Sequence, residues 1–305
     1  MRLAVLMATY NGAKYIEAQI ESILQQELEI PFDLIVRDDG STDGTLEILE
    51  AYRQKGALQY SAEGNLGAAR GFIRLLQDNP GYDYYAYADQ DDVWDRDKIA
   101  KGLTAVKDQE GPALYCANAA LVDAQLQSLG RNTHRAFPTY NLTSILCLAS
   151  CAQGCTSVFN QELAKVVQQH DVPEVFIMHD SLLTCLCALI GGKVIYDHRP
   201  SMQYRMHGNN VFGMNTAKQG LGRVLKSRWQ EITTKPKVSM YTQASNLLAS
   251  YGDVIPEDNQ ALCRRVIRSE KSLLARLQLV LSKELKHDTL NKTITKKLQI
   301  LFGND

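Results

Sequence analysis

The sequence predicts an α/β protein: a mostly parallel sheet flanked by helices, followed by a helical, basic extension. Strand-like and helix-like segments alternate through the first half of the chain, which is typical of such a sheet. Polar residues or glycines recur where each predicted strand meets the next helix, and open α/β sheets bind ligands at that edge. Charge is divided as well, because residues 1–215 hold 17 Lys/Arg and 26 Asp/Glu whereas residues 216–305 hold 16 and 8. The two parts are therefore expected to do different jobs.

The composition is that of an ordinary globular protein, with 45% hydrophobic and 22% charged residues in a chain of 305. There is no run of about 18 apolar residues, so no membrane-spanning helix is predicted. The apolar run within Met1–Met7 is too short for a signal peptide and is interpreted as a first strand. The odd number of cysteines, seven, indicates buried reduced thiols and hence a cytoplasmic protein.

Short apolar runs predict the strands, and apolar residues three and four apart predict the helices between them. After Asn11-Gly12, for example, Ile16, Ile20 and Ile23 fall on one helical face. From Pro112 the alternation loosens. The predicted strands are Arg2–Ala8, Phe32–Val36, Leu58–Tyr60, Tyr84–Ala88, Ala113–Asn118, Leu121–Asp123, Cys155–Phe159 and Lys193–Asp197.

An acidic cluster, Asp89-Gln90-Asp91-Asp92, directly follows the strand Tyr84–Ala88, with no Gly or Pro between them. Clustered carboxylates at the end of a core strand repel one another and are costly to desolvate. A divalent cation removes this cost, and Mg²⁺ and Mn²⁺ accept carboxylate oxygens as ligands. The alternative interpretation is a solvated acidic turn.

Three further polar motifs lie at strand ends or helix starts. Thr9-Tyr10-Asn11-Gly12 follows the first strand, residues 37–43 follow the second, and residues 65–71 begin a helix. Carboxylates beside glycine and hydroxyl groups can accept bonds from a nucleotide base and ribose, and Arg70 can meet a diphosphate. The ordinary alternatives are an N-capped turn, simple turn chemistry and a solvated surface arginine.

Taken in order, these motifs resemble those of the bacterial inverting glycosyltransferases of family 2, whose Rossmann-like fold is called GT-A. The string ATYNG … RDDGSTDGT … NLGAARG … DQDDVW … HD … YRMHGNN is similar in particular to rhamnosyltransferases that build cell-wall and O-antigen polysaccharides. The resemblance covers residues 1–213, which we interpret as the nucleotide-sugar-binding and catalytic domain. Residues 214–305 are interpreted as a separate helical region without a functional motif.

The resemblance implies a nucleotide-sugar site with a bound Mn²⁺ or Mg²⁺ ion. Asp91, Asp89 and His207 are the implied metal ligands, while Asp92 orients the loop or the sugar. Residues 153–155 are implied to line the acceptor side. The implied nucleotide-sugar contacts are Thr9, Tyr10, Asn11, Asp39, Asn65, Arg70, Asp89, Gln90 and Arg205.

Asp180 matches the general base of the family, which takes the proton of the acceptor hydroxyl as that group attacks the sugar from the opposite face. The commoner pair at this position is Glu-Asp, so His179 is a departure that leaves the base in place. Without the resemblance, Asp180 is interpreted as an anion at a helix N-terminus, where the helix dipole favours it.

These features predict an enzyme that moves a sugar onto a saccharide or lipid-linked saccharide acceptor, foremost L-rhamnose from dTDP-L-rhamnose. A UDP-hexose donor and a catalytically silent nucleotide-binding scaffold are the alternatives. A dinucleotide-dependent dehydrogenase is excluded, because no Gly-x-Gly-x-x-Gly follows the first strand.

The basic C-terminal part suits an anionic membrane surface, so we expect peripheral attachment to the inner face of the cell membrane through residues 216–305. The outer face of a helical bundle and a homo-oligomer interface are the alternatives. Nucleic acid is not an expected partner, because the basic residues are not interleaved with aromatic residues. The predicted helices here are Leu221–Trp229, Ser239–Ser250, Gln260–Leu281 and Leu290–Phe302.

Overall fold

Nine strands form one mixed sheet in the part of the chain that the computed structural model describes, residues 1–134, 141–148, 153–207, 238–287 and 289–304. The strands are β1 (Leu3–Thr9), β2 (Phe32–Asp38), β3 (Gln59–Ala62), β4 (Tyr84–Ala88), β5 (Val93–Trp94), β6 (Ala113–Val122), β7 (Ser128–Asn132), β8 (Val158–Asn160) and β9 (Lys193–Arg205).

Strands β1, β2 and β4 run parallel, with β1 in the middle and β3 beyond β2. Their register aligns Thr9 at the end of β1 with Asp38 at the end of β2. The carboxyl ends of these strands therefore meet at one edge of the sheet. From that edge Tyr10, Asp39 and Asp89 begin the loops that carry the predicted site.

The remaining strands complete the order β3-β2-β1-β4-β8-β6-β9-β5, with β7 paired to β6. Strand β8 is antiparallel to both of its neighbours, whereas β9 is parallel to β6. The register of β9 is irregular where Asn118 faces Pro200. A proline has no N–H for the ladder, and an irregular register accommodates it. Strand β9 also pairs with β5, which directly follows the acidic cluster, so the end of β9 lies beside that cluster.

Helices cover both faces of the sheet, which explains why its central strands are apolar throughout rather than alternating. Leu6 and Tyr87 enter one apolar cluster, while their neighbours Val5 and Ala86 enter the other. The helices are α1 (Ile16–Leu24), α2 (Thr45–Gln54), α3 (Ala68–Asp78), α4 (Lys98–Val106), α5 (Leu142–Leu148), α6 (Gln161–Gln169), α7 (His179–Leu189), α8 (Met240–Tyr251), α9 (Glu257–Ser269), α10 (Leu273–Leu281) and α11 (Leu290–Phe302).

The C-terminal helices α8 to α11 share one apolar cluster with α7. Tyr251, Cys263, Leu279 and Ile300 are buried in the same cluster as Leu183. No helix in the described ranges is both long enough and apolar enough to cross a membrane. The predicted helix at 221–229 and the predicted boundary between residues 213 and 214 lie outside the described residues.

The predicted α/β architecture is confirmed, and strand Tyr84–Ala88 has the predicted bounds. Several predicted elements are wrong in extent. Strand β8 covers Val158–Asn160 rather than Cys155–Phe159, and β9 runs to Arg205, past the predicted end at Asp197. Leu121–Asp123 is not a separate strand, because β6 continues to Val122 and pairs with β7. Gln260–Leu281 is two helices, because the hydroxyl of Ser272 accepts the N–H of Ala275 and begins α10. Such a side-chain bond is typical of a helix N-cap.

Candidate active site

Three carboxylates, those of Asp89, Asp91 and Asp92, follow β4 within four residues, and their contacts differ. Asp92 is buried; its Oδ1 accepts the Arg205 N–H at 3.1 Å, and its Oδ2 has no hydrogen-bond partner among the described residues. Asp91 Oδ2 lies 2.6 Å from His207 Nε2. Asp89, Asp92 and Cys155 each offer a ligand atom within 4.8 Å of the other two. The predicted ligands therefore divide: Asp89 joins Asp92 and Cys155, while Asp91 pairs with His207.

The acidic cluster has the chemistry of a cation site. Burial and the charges of Asp91 and Asp180 raise the pKa of Asp89 to about 7. Burial and the charges of Asp91 and Asp89 raise the pKa of Asp92 well above its usual range. A hard divalent ion relieves this repulsion, and the unpartnered Oδ2 of Asp92 fits it as a ligand. Burial raises the pKa of the Cys155 thiol well above its usual range, so this residue stays protonated and is a poor ligand.

A fully buried lysine, Lys98, lies beside the acidic cluster at the first residue of α4. Its Nζ is 3.6 Å from the centroid of the Trp94 ring and has no hydrogen-bond partner in the ranges described. Burial lowers the pKa of Lys98 to about 7, and the carboxylates of Asp92 and Asp89 oppose that shift. Sequence reasoning missed this residue. The available signal was a cation at a helix N-terminus, where the helix dipole disfavours it.

Arg205 holds the acidic loop from strand β9. Its Nε donates to the backbone oxygen of Asp91 at 2.7 Å, and its Nη1 donates to the backbone oxygen of Ala124 at 2.9 Å. The guanidinium also lies 4.6 Å from the Tyr15 ring centroid, and the His207 ring packs against the same tyrosine at 4.9 Å. Arg205, predicted as a diphosphate contact, is thus engaged in positioning Asp91.

At the end of β2, Asp38 organises the turn that precedes α2. Its Oδ1 accepts the N–H groups of Gly40 and Ser41, and its Oδ2 accepts the hydroxyl of Ser41 and, at 2.8 Å, that of Thr9. Thr9 is itself buried. The predicted base-pocket residue Thr9 therefore lies in the layer that supports the turn.

Asp39, predicted to contact the base or ribose, is held by a buried arginine. Its Oδ1 accepts Arg37 Nε at 3.0 Å, and its Oδ2 accepts the Leu66 N–H at 3.1 Å. Arg37 is 2% exposed, pairs also with Glu63 and donates to the backbone oxygen of Gly64. The carboxylate of Asp39 is thereby fixed between β2 and the loop that leads to α3.

Tyr10 and Gln90 join the ends of β1 and β4. The Tyr10 backbone N–H donates to Gln90 Oε1 at 2.9 Å, and Gln90 Nε2 donates to the Tyr10 backbone oxygen at 3.0 Å. A Cβ at Gly12 would lie 2.1 Å from Gln90 Oε1, so this close approach requires glycine. Asn11 has a φ of 48°, and its Oδ1 accepts the Thr42 N–H. The Tyr10 side chain stays exposed at the sheet edge.

A cleft of about 400 Å³ lies between the start of α3 and the segment before α7. Leu66, Arg70, Glu174 and Met178 are among its lining residues. A guanidinium nitrogen of Arg70 donates to the backbone oxygen of Glu174, which closes one side. Asn65, just outside the cleft lining, caps the turn through its bond from the Gly67 N–H. Met178, which lines the cleft, is two residues before the predicted base Asp180 in the sequence.

Asp180 lies in the first turn of α7, with its carboxylate oriented by two backbone donors. The Gly154 N–H donates to Oδ2 at 3.1 Å and the Ser181 N–H donates to Oδ1 at 2.7 Å. Burial raises the pKa of Asp180 to about 6, and these two bonds oppose the shift. Gly154 is followed directly by Cys155, which belongs to the group with Asp89 and Asp92. The predicted base and the acidic cluster therefore meet on either side of the Gly154–Cys155 segment.

His179, the neighbour of Asp180, is a buried neutral ring rather than a second acid or base. It stacks on Phe72 with ring centroids 4.1 Å apart and meets Tyr87 edge-on at 5.1 Å. Burial lowers the pKa of His179 to about 3. A Cβ at Gly154 would lie 2.3 Å from His179 Nε2. His179 thus packs against the residue that donates to Asp180.

Comparisons with known proteins agree with this architecture. Residues 4–167 match the family described as "Glycosyl transferase family 2". The chain is 29% identical over 247 residues to the dTDP-rhamnosyl transferase RfbG of Shigella flexneri, covering 74% of this chain and 82% of that protein. It is 28% identical over 116 residues to the poly(ribitol-phosphate) beta-N-acetylglucosaminyltransferase TarS of Staphylococcus aureus, covering 37% of this chain but 20% of TarS.

A solved structure extends the likeness to the described fold as a whole. The S. aureus TarS fragment 1–349 in complex with UDP-GlcNAc superposes with a TM-score of 0.55 at 18% identity, covering 99% of this chain and 91% of that chain. The shared architecture confirms the predicted fold class.

Proposed function

The chain belongs to glycosyl transferase family 2 and is a glycosyltransferase; from this premise we propose that it transfers L-rhamnose from dTDP-L-rhamnose, with inversion, to a saccharide acceptor in cell-surface polysaccharide synthesis. The observation that carries the proposal is the half-buried, oriented carboxylate of Asp180 next to the acidic cluster. The rhamnosyl donor is supported by the match to RfbG, which spans most of both chains.

The donor nucleotide is proposed to lie along the carboxyl ends of β1 and β2. The exposed Tyr10 side chain contacts the base, and Asp39, held by Arg37, accepts a bond from the base or ribose. Arg70 faces the diphosphate from the cleft at the start of α3. The remaining proposed donor contacts, at the edges of the same cleft and sheet end, are Asn11, Asn65, Asp89, Gln90 and Arg205.

The acidic loop is proposed to hold Mn²⁺ or Mg²⁺ through Asp89, Asp91 and His207. The unpartnered Oδ2 of Asp92 supports adding this residue to the ligands. When bound, the ion stabilises the negative charge on the departing nucleoside diphosphate. Arg205 contributes by fixing the backbone of Asp91.

On the acceptor side, Asp180 takes the proton of the attacking hydroxyl. Its two backbone bonds orient the carboxylate and leave lone pairs for that hydroxyl. A pKa of about 6 keeps Asp180 ionised at neutral pH while making it more basic than an ordinary aspartate. Residues 153–155 line this side of the site.

The acceptor is proposed to be a lipid-linked saccharide at the inner face of the cell membrane, with residues 1–213 as the catalytic unit and residues 214–305 as the contact to the membrane. The excess of Lys/Arg after residue 215 supports this arrangement. A homo-oligomer is the alternative use of the C-terminal helices.

A UDP-hexose donor is the second candidate. TarS, by name a beta-N-acetylglucosaminyltransferase, matches over 116 residues. The same polar residues could bind a UDP-linked sugar, since they contact the nucleotide and the diphosphate rather than the sugar.

Hydrolysis of a panel of nucleotide sugars tests the proposal. We expect dTDP-L-rhamnose to be turned over faster than UDP-glucose or UDP-GlcNAc, and EDTA to abolish turnover. The Asp180→Asn variant should bind dTDP like the wild type but lose about 10²–10⁴-fold in rate, because the proton acceptor is gone. Preference for a UDP-sugar would establish the second candidate. Binding of dTDP without turnover of any donor would indicate a silent scaffold.

A further inference from the structure

Helix α10 is apolar on two sides, although the described part of the chain covers only one of them. Leu279 is buried in the core cluster. On the other side Leu273, Leu274, Leu277 and Leu281 are between 39% and 77% exposed. At about 100° per residue these four leucines fall within about 100° of the helix circumference, which we call the leucine face. A helix that is apolar all round is normally buried on every side, so this face is built for contact with an apolar phase.

The neighbouring helix extends the exposed apolar surface. Leu290, Ile294 and Phe302 of α11 are each about half exposed or more. Lys297 Nζ donates to the backbone oxygen of Ser282 at 3.4 Å, which ties α11 to the end of α10. The two helices therefore form one hairpin that carries exposed apolar side chains along both of its arms.

The positive charge around the leucine face favours an anionic partner. Residues 271–305 hold seven Lys/Arg and three Asp/Glu. Lys271 just before α10, and Lys283 and Lys286 just after it, are exposed. Leucines flanked by lysines at both helix ends suit a bilayer of anionic lipids, since the leucines enter the acyl boundary while the ammonium groups reach the phosphates. A second copy of the chain would bring like charges together at the same surface.

The hairpin is fastened to α5, the helix that precedes the proposed acceptor side in the sequence. The backbone oxygen of Glu284, in the α10–α11 connection, accepts from Asn141 Nδ2 at 2.8 Å and from Ser144 Oγ at 2.6 Å. The Glu284 carboxylate accepts the Thr143 hydroxyl at 2.6 Å. Thr143 and Ser144 belong to α5, and the chain reaches Gly154, the donor to Asp180, six residues after α5 ends. The leucine face thus has a fixed attachment to the element that precedes the acceptor side.

We propose that the leucine face and its flanking lysines dock the enzyme on an anionic lipid bilayer, in the orientation that lets an acceptor anchored in that bilayer reach Asp180. The docking assigns a surface to the membrane contact of the proposed function and is argued from the hairpin, while the delivery of the acceptor rests on the proposed transfer reaction.

Flotation with vesicles tests the docking. The full chain should float with vesicles of phosphatidylcholine and phosphatidylglycerol at low salt, and much less with phosphatidylcholine alone or at high salt. The double variant Leu274→Gln/Leu281→Gln should lose about tenfold or more in vesicle affinity, because two apolar side chains no longer enter the bilayer. Leu129→Gln, an exposed leucine on β7 that serves as the matched control, should bind like the wild type.

Two further readings separate the outcomes. Hydrolysis of dTDP-L-rhamnose in solution should be unchanged in the double variant, so loss of vesicle binding and loss of the proposed activity are distinguishable. A wild type that stays with the soluble fraction, or a double variant that floats equally well, overturns the docking. Light scattering that shows an oligomer dissociated by the same leucine substitutions, without vesicle binding, assigns the leucine face to a second copy and also overturns it.

Discussion

At the scale of single residues, burial controls which carboxylates of the site carry charge. The pKa of Asp89 is raised to about 7 and that of Asp180 to about 6. Near neutral pH Asp89 is therefore about half protonated without an ion, while Asp180 is mostly ionised. Carboxylates whose environments separate their pKa values are suited to separate roles. Asp89 is therefore suited to bind a cation, which displaces its proton, and Asp180 is suited to accept a proton.

Metal affinity should depend on pH through Asp89. Because an ion binds the carboxylate and not the acid, affinity should fall as pH decreases through the Asp89 pKa of about 7. A single group of this pKa predicts about tenfold weaker Mn²⁺ binding at pH 6 than at pH 8. Titration calorimetry with Mn²⁺ measures this directly. The Asp89→Asn variant should bind more weakly and show a smaller pH dependence, since Asp92 still titrates; equal wild-type affinities at the two pH values would contradict the assignment.

The residues that sequence reasoning missed are those whose role depends on burial. Asp39 and Asp89 are singled out by the sequence as carboxylates at strand ends, whereas Asp180 is singled out by the family resemblance. Lys98 and Arg37 look like ordinary surface cations in the sequence, yet both are almost fully buried. Their burial is a property of the folded sheet edge, which brings Arg37 against Glu63 and Gly64, and Lys98 close to Cys155.

At the scale of elements, the position of Asp180 depends on how closely residues 153–155 pass α7. His179 is wedged between Phe72 and Tyr87, and its ring leaves no room for a side chain at Gly154. The departure from the commoner Glu-Asp pair thus has a packing consequence: a neutral ring sets the distance between the Gly154 N–H and the Asp180 carboxylate.

Gly154→Ala tests this packing in a double-mutant cycle with His179→Ala. The single substitution Gly154→Ala should destabilise the fold by about 1–3 kcal/mol, because the new methyl group would clash with the His179 ring, which is packed against Phe72 and Tyr87. In the His179→Ala background the added methyl group has room, so its cost should shrink. Urea unfolding of the four proteins measures the coupling. Gly64→Ala, where an added Cβ meets nothing within 4 Å, is the matched control. Additive effects would contradict the proposed contact.

Elements with strong local signals were predictable, and those set by tertiary pairing were not. The first four strands are short apolar runs bounded by turn residues, and the structure has them close to their predicted places. Strand β9 extends eight residues past its predicted end because pairing with β6 overrides Pro200 as a boundary. The break before α10 was marked by Ser272, but the apolar pattern on both sides concealed it.

At the scale of the whole molecule, the chain combines an acidic site at the sheet edge with a basic hairpin that is hydrogen-bonded to α5. The charge division was visible in the sequence, whereas the leucine face was not, because an apolar helix pattern is the same whether it is covered or exposed. The hairpin is joined through Glu284 to α5, and residues 153–155 join the base to the acidic cluster. The proposed membrane contact is thus bonded to α5, and the proposed base is bonded to residues 153–155, which follow α5 in the sequence.

The most direct measurement is the affinity of dTDP with and without Mn²⁺, by titration calorimetry, for the wild type and for Asp91→Asn. If the strand-end carboxylates hold an ion that binds the diphosphate, Mn²⁺ should strengthen dTDP binding to the wild type by about tenfold or more. Asp91→Asn should lose most of this gain. Asp108→Asn, an exposed carboxylate away from the site, should retain it. A wild type that binds dTDP equally well in EDTA, or an Asp91→Asn variant that keeps the full gain, would contradict the account.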